Sequence, residues 1–597
     1  MQGINNTIKR YEVPYFEGIN SSVSPNLVRK GEIVHSENVR QEKIGLLTSR
    51  DGSTAVGNNI SATEEYGLFS FSAKSGKGLY RIATVGATTS IYWKNSNTWS
   101  ILSGEGTSLA TGCFKSTVAE GNLYLVNYND QNRMISGSDG TTVTDSTTVS
   151  GSLYNSPNAS LITTYKGRLF LGDFLVGSTR NSTKVVRSSL PLGLVCLVSG
   201  DPVSPYTTIT LTDTMYVYDV AGANTYDIYR AGTKIAVFTV SSLTEDTIVG
   251  TTVFEAGQTT IMSADELWIS GTYTGEKIFR WPKNSSTTGT EEREYGTFSL
   301  QSSDGSPLTM LEVIGNKLII SNKTSMASWD DVSLDHFDMN IGCVSKNGYV
   351  KHFGGLYFLG YNGIYVTDGT TPKLISNKIE RYLNGATKAG KEAAAMGKKG
   401  NSIFCYIGDV TLYRDDGSTE MTLSKVTLEF NTIFNLWFTH TGVSIKHFCT
   451  FVDTLDTDKL MIGNDESSAL VLEYLSGTTD NGSAIPFRVD FLLPPLSGKF
   501  EKISHPVEIA VETLRGVGVK VFTSLDGGNW YSCNKEANKG VSIIKIHGKS
   551  TDFDTPPTCR RLGISFRKDS SQKTVLAGFS IYSTPTNHEV NDKESTE

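Results

Sequence analysis

Nucleophilic hydrolysis needs a Ser or Cys within reach of a His and a carboxylate. The chain has eight histidines, His35, His336, His352, His440, His447, His505, His547 and His588. They fall in different parts of the sequence, and none sits in a local catalytic signature. The sequence contains no H-E-x-x-H, no Walker A loop and no G-x-G-x-x-G. His440 and His447 flank a turn and are one possible metal pair; ordinary packing or surface histidines are the alternative. The seven cysteines, Cys113, Cys196, Cys343, Cys405, Cys449, Cys533 and Cys559, are scattered, odd in number and never form C-x-x-C. They read as free, mostly buried thiols, not as a disulfide framework or a zinc knuckle. Calcium loops of the D-x-D-x-D-G type are absent, and 61 acidic residues single out no facing carboxylate pair. The expectation is therefore a non-enzyme with no catalytic, metal or cofactor residue to assign.

The elements that would position any site are more legible. The stretch 348–376 divides into four short strands, Tyr349 to Phe353, Leu356 to Leu359, Gly363 to Thr367 and Pro372 to Ile375. Gly354-Gly355, Asn362-Gly363 and Asp368-Gly369 between them tolerate positive φ and suit tight hairpin turns. Such a small sheet cannot bury both faces alone, so it must stack on copies of itself. Weaker copies of its second strand begin at Gly78, Gly121, Gly167, Gly315 and Gly400. Where nothing intervenes their spacing is about 45 residues, the period of a β-propeller of four-stranded blades. A long β-sandwich with generic hairpins is the alternative.

A chain of 597 residues exceeds one ordinary core, and 58 Gly against 16 Pro with 10% aromatics fits an all-β protein rich in turns. The net charge of -7 is spread without long runs of one sign, so no basic footprint for nucleic acid exists. A neutral or mildly acidic pore wall would still let DNA slide, since it would repel phosphate. No apolar run reaches a membrane span and Met1 to Arg10 is polar, from which a soluble protein folding in a reducing cytoplasm is expected.

In chain order, residues 1–60 read as an extended N-terminal arm that must lie along the body or a neighbour. Residues 61–191 give the first propeller blades. Residues 192–290 break the blade pattern and read as a small β-domain inserted into a blade loop, a contact or gate element. Blades resume over 291–480. Within them, Asn377 to Leu383 is the best helix candidate, with Ser376 as its N-cap and Ile379, Tyr382 and Leu383 as a buried stripe. Lys388 to Lys399 reads as further helix or exposed loop with a solvated basic face. Residues 481–585 change to long alternating strands of a β-sandwich or jelly roll, and 586–597 form an exposed tail. Tyr216, Tyr218, Tyr226 and Trp268 of the inserted domain are candidates for an exposed aromatic binding surface, with core packing as the alternative.

Ser524-Leu-Asp-Gly-Gly-Asn-Trp530 resembles the Ser-x-Asp-x-Gly turn of sialidase propellers, but it occurs once, one residue short, and in the C-terminal region. A hairpin turn at Asp526-Gly527-Gly528 accounts for it. The N-terminal series Phe16-x-Gly18-Ile-Asn20, Gly31-Glu32, Asn38-Val39 and Arg50-x-Gly52 resembles the opening of many tailed-phage virion proteins. In these an F-x-G-G-L-N start leads through N-V to an R-x-G turn before a β-propeller. Glu17 stands where that family often has a second glycine. The segments Gly167 to Gly172 and Gly363 to Glu380 are similar to later blades of the same proteins.

The family includes tail nozzle and packaged-DNA stabilisation proteins of short-tailed phages. The resemblance implies a virion tail protein assembled in the host cytoplasm, with itself as partner in a ring of typically six copies below the portal and adaptor. Other implied partners are tail fibre or spike proteins, and genomic DNA held without sequence-specific contacts and released on infection. A receptor- or glycan-binding tail protein and a propeller glycoside hydrolase are the alternatives.

Overall fold

The computed structural model describes residues 9–586 except 23–27, 30, 96, 103–108, 146–151, 154–155, 177, 213–216, 218–223, 245, 274–277, 282–297, 302–303, 338–339, 414–417, 465–468, 494–501, 516–517, 526–529, 547–561 and 570–571. The exposed tail expected over 586–597 lies, apart from Thr586, outside these residues, as does the turn 526–529.

Seven four-stranded antiparallel sheets follow one another along the described residues. Their first strands are Ala62–Ala73, Lys115–Ala119, Ala159–Tyr165, Met310–Ile314, Tyr349–His352, Ala395–Lys399 and His447–Val452. We number these blades one to seven. A separate apolar cluster fills each seam. Phe71 and Ile82 meet Leu123 between blades one and two. Tyr124 and Leu171 share the next seam, Phe170 and Leu318 the third, and Met310 and Phe358 the fourth. Leu359 and Met396 belong to one cluster between blades five and six, and Phe404 and Ile462 to the next. Leu79 and Met461 then join blade one to blade seven. The sheets therefore close into a seven-bladed β-propeller, because each blade buries both of its faces only between two neighbours.

Blade five has the strands Tyr349–His352, Gly355–Gly360, Gly363–Thr367 and Lys373–Leu374, each paired to the next. Blade seven is made from both parts of the chain. Its fourth strand is Ser53–Ala55, antiparallel to Val471–Tyr474 with Leu472 opposite Ala55. After blade five comes a 3-10 turn, Asn377–Ile379, and an α-helix, Glu380–Gly385, with Ile379, Tyr382 and Leu383 buried. Ser376 makes no side-chain cap; its hydroxyl accepts from Ile364 N at 2.9 Å and so ties the turn back to the blade. The stretch Lys388 to Lys399 also differs from a solvated face. It holds a short helix, Lys388–Glu392, and the innermost strand Ala395–Lys399. Lys391 is buried there and donates to Tyr361 O at 2.8 Å.

Blade three is interrupted. Its third strand, Thr179–Arg187, pairs with Phe298–Ser299, and a six-stranded antiparallel sheet spanning 194–269 lies between them in sequence. The first and second strands of that sheet meet as well. Val198 bridges Leu211, Ser199 N donates to Thr210 O at 2.8 Å, and Thr212 N donates to Leu197 O at 2.9 Å. The module is thus a closed barrel without free edges, filled by its own cluster including Tyr226, Ile228, Phe238 and Leu267.

The C-terminal strands form a sandwich of two sheets. Phe491, Phe566 and Phe579 pack edge-on or tilted between the sheets, with Phe16 against Phe491 at 5.3 Å. The N-terminal segment is woven into both. Lys9–Val13 and Leu46–Ser49 pair with Val575–Thr586, and His35–Glu37 pairs with Pro486–Leu492. The arm is therefore built into the body's own sheets, because its backbone groups find ladder partners there.

Candidate functional site

The residues of the N-terminal motif converge on one buried junction between arm, propeller and sandwich. Asn38 is fully buried at φ 57. Its Oδ1 accepts from Arg50 Nε at 2.6 Å and Thr441 N at 2.9 Å, while Nδ2 donates to Thr441 Oγ1 at 3.0 Å and Pro486 O at 2.9 Å. A short polar side chain that tolerates positive φ and offers both donor and acceptor satisfies this position. Arg50, with a fully buried side chain, forks onto both carboxylate oxygens of Asp480, Nη1 at 2.8 Å from Oδ1, and donates to Thr441 O. Gly52 passes so close to the segment that leaves blade seven that a Cβ would lie 2.0 Å from Thr479 O. Nearer the N-terminus, Asn20 Nδ2 donates to both oxygens of Glu32, at 2.9 and 3.0 Å.

A second buried chain of charges runs beside this junction. Arg40 forks onto Glu429 of blade six with contacts of 2.9 Å. Glu429 lies 2.9 Å from His440 Nε2, and His440 Nδ1 is 2.8 Å from the Tyr474 hydroxyl of blade seven. Burial works against the Glu429 carboxylate, but Arg40 and His440 outweigh it and hold its pKa at about 2. Burial also keeps His440 below its ordinary value. His440 is thus committed to a structural relay. His447 is instead 3.2 Å from Asn347 Nδ2, and burial drives its pKa down to about 3. Among the described residues no group of three or more His, Cys, Asp or Glu could hold a metal ion.

The loop 345–347 of blade five crosses the propeller axis. Lys115 of blade two donates to Asn347 Oδ1 at 2.7 Å, although blade two lies three blades away round the ring. Met396 N of blade six donates to Asn347 O at 2.8 Å, and Lys346 Nζ lies 3.5 Å from Asp173 Oδ2 of blade three. The axis is closed at this level by the protein's own side chains. Beside the loop is a cavity of about 480 Å³ whose lining draws on all seven blades, from Tyr66 of the first to His447 of the last.

Of the aromatic candidates in the inserted barrel, Tyr216 and Tyr218 lie outside the described residues. Tyr226 is not exposed: it has 0% accessibility and points into the barrel core, because it shares a face with Ile228. Trp268 is half-buried on the outer face and pairs in register with Asp227. Its Nε1 donates to Glu266 Oε2 at 2.9 Å. The structure brings to it two tyrosines that pattern reading missed. Tyr229 and Tyr273 stack at 3.9 Å and 8°, and Tyr273 meets Trp268 edge-on at 4.7 Å. Period-two alternation from Tyr226 would have placed Tyr229 outside, whereas nothing in the sequence marks Tyr273.

No protein-family model matches the chain, and no curated protein matches it. Solved structures with a similar course of the chain include a chain of the Mitotic Checkpoint Complex, 9% identical, covering 74% of this chain and 96% of that one at a TM-score of 0.33. BamB from Moraxella catarrhalis is 9% identical, with 71% and 98% covered at 0.26. A glycoside hydrolase is 8% identical, with 88% and 100% covered at 0.19. These likenesses concern the fold and carry no argument about activity.

Proposed function

We propose that the protein is a structural subunit of a phage tail, one block of an oligomeric nozzle that retains packaged DNA and lets it leave on infection. The observation that carries this reading is the junction. The motif residues Asn38, Arg50 and Gly52 serve neither a cleft nor a reacting group, and instead fuse arm, propeller and sandwich. A block fused in this way suits a part that must bear load without yielding. With its own axis crossed by Asn347, the subunit offers no passage for a duplex. The conduit then lies between copies, six in the expected ring, which needs large heterologous contacts. Electron microscopy of the purified protein with and without its tail partners tests this. A six-fold tube is expected, and a protein that stays monomeric with every partner present would overturn it.

The barrel's outer face favours a second reading, in which the tail protein binds a surface glycan. Tyr229, Trp268 and Tyr273 form a half-buried aromatic group flanked by Glu266 and Asp227, a combination that suits sugar rings and hydroxyls. Glycan-array binding that disappears in Trp268→Ala would support it; an array blank for the unaltered protein would dismiss it.

A further inference from the structure

The axial cavity differs in charge from the chain around it. The whole sequence carries -7, yet Arg180, Lys323, Lys346 and Lys446 all line the cavity, with Glu392 as the lining carboxylate. Lys115 stands just behind, held by Asn347. The carboxylates that answer these cations are few. Asp173 is shared by Arg180, in a two-pronged contact at 2.7 and 2.8 Å, and by Lys346 at 3.5 Å. Glu392 takes Lys323 at 2.8 Å, and Glu64 takes Lys446 at 2.9 Å. Four lining cations therefore share three carboxylates.

The walls are suited to a ligand rather than to open solvent. Leu308, Val344 and Ile445 are buried apolar side chains of blade four, blade five and blade seven. They lower the local dielectric and so strengthen any charge interaction inside. About 480 Å³ lies within the size range of small-molecule sites. The cations come from separate blades of a rigid ring, so their spacing is fixed before a ligand arrives and little ordering cost remains. Lys346 is the least committed, since its carboxylate contact is at 3.5 Å and an ammonium has three donors.

We infer that the cavity on the propeller axis is a binding site for a small, multiply charged oxyanion, a phosphate or polycarboxylate compound, gripped by Lys346 and Lys323 with Arg180 and Lys446 around it. This does not lean on the tail reading, and either can fail without the other.

Isothermal titration of the full chain with pyrophosphate and, separately, citrate at low ionic strength tests it. The expected result is one-to-one binding of at least one of the two. Lys346→Gln should weaken that binding about tenfold, the loss of one charge-assisted hydrogen bond, and Lys323→Gln/Lys346→Gln should weaken it further. Lys346→Gln leaves Asp173 with Arg180 and Ser160, so its unliganded melting temperature should stay close to that of the unaltered protein and the single variant decides if the double one does not fold. No binding of either compound to the unaltered protein, or undiminished binding in a folded Lys346→Gln, would overturn the inference.

Discussion

Two buried carboxylates bear opposite signs of the same physics. Glu429 is held at about 2, below its ordinary 4.5, so its contribution to stability is present above pH 4.5 and is lost as pH falls through about 2. Removing its charge strands Arg40 and disturbs His440, and loss of one partner from a buried pair costs about 3–5 kcal/mol. Glu429→Gln should therefore lower the urea midpoint strongly at pH 7, and an unchanged midpoint would mean that the pair is idle. Glu65 behaves in reverse. It is fully buried beside Arg81 at 2.8 Å, and burial outweighs the arginine to push its pKa up to about 7. A raised acid pKa adds stability that is whole below pH 4.5 and lost as pH rises through about 7. Melting temperatures at pH 5 and pH 8 should differ less in Glu65→Gln than in the unaltered protein; equal pH slopes would refute this assignment.

At the scale of elements, the turn chemistry was the readable part. Gly354, Gly363 and Gly369 mark the hairpins of blade five, and its strands follow the apolar runs between them. What local pattern could not show was where strands go for partners. Ser53–Ala55 looks like a fragment of an arm because its ladder partner lies more than four hundred residues later. Lys391 reads as solvated from its Ala- and Lys-rich setting, yet a carbonyl of blade five draws it inside. The axial cavity was illegible for the same reason: its cations are spread from Arg180 to Lys446 and become neighbours only when the ring closes. The barrel makes a separate prediction. It is closed, and it has a core distinct from the propeller seams. Chain leaving and re-entering blade three is bridged at Leu192 and Ile278. Replacing 194–276 by a short Gly-Ser linker should leave a soluble propeller with an unchanged sandwich, read by hydrogen exchange on blade three; an aggregated product would show that the barrel supports the ring.

At the scale of the whole molecule, the N-terminal segment decides whether there is one body or two. Its strands close blade seven and enter both sandwich sheets. A chain starting after residue 56 loses Arg40, Asn38 and Arg50 together, leaves the buried Glu429 and the half-buried Asp480 without their guanidinium partners, and exposes an open blade edge. Such a truncation should yield insoluble protein. A soluble, folded product from this truncation would mean that the junction is dispensable for folding.

The two-ended blade also sets a timetable for synthesis. Ser53–Ala55 emerges from the ribosome roughly four hundred residues before Val471–Tyr474, a wait of about 20–80 s at 5–20 residues per second. During that interval Lys9–Val13, His35–Glu37 and Ser53–Ala55 have no ladder mate, so nascent chains carry unpaired strand edges. Slowing translation late in the message should raise the yield lost to inclusion bodies.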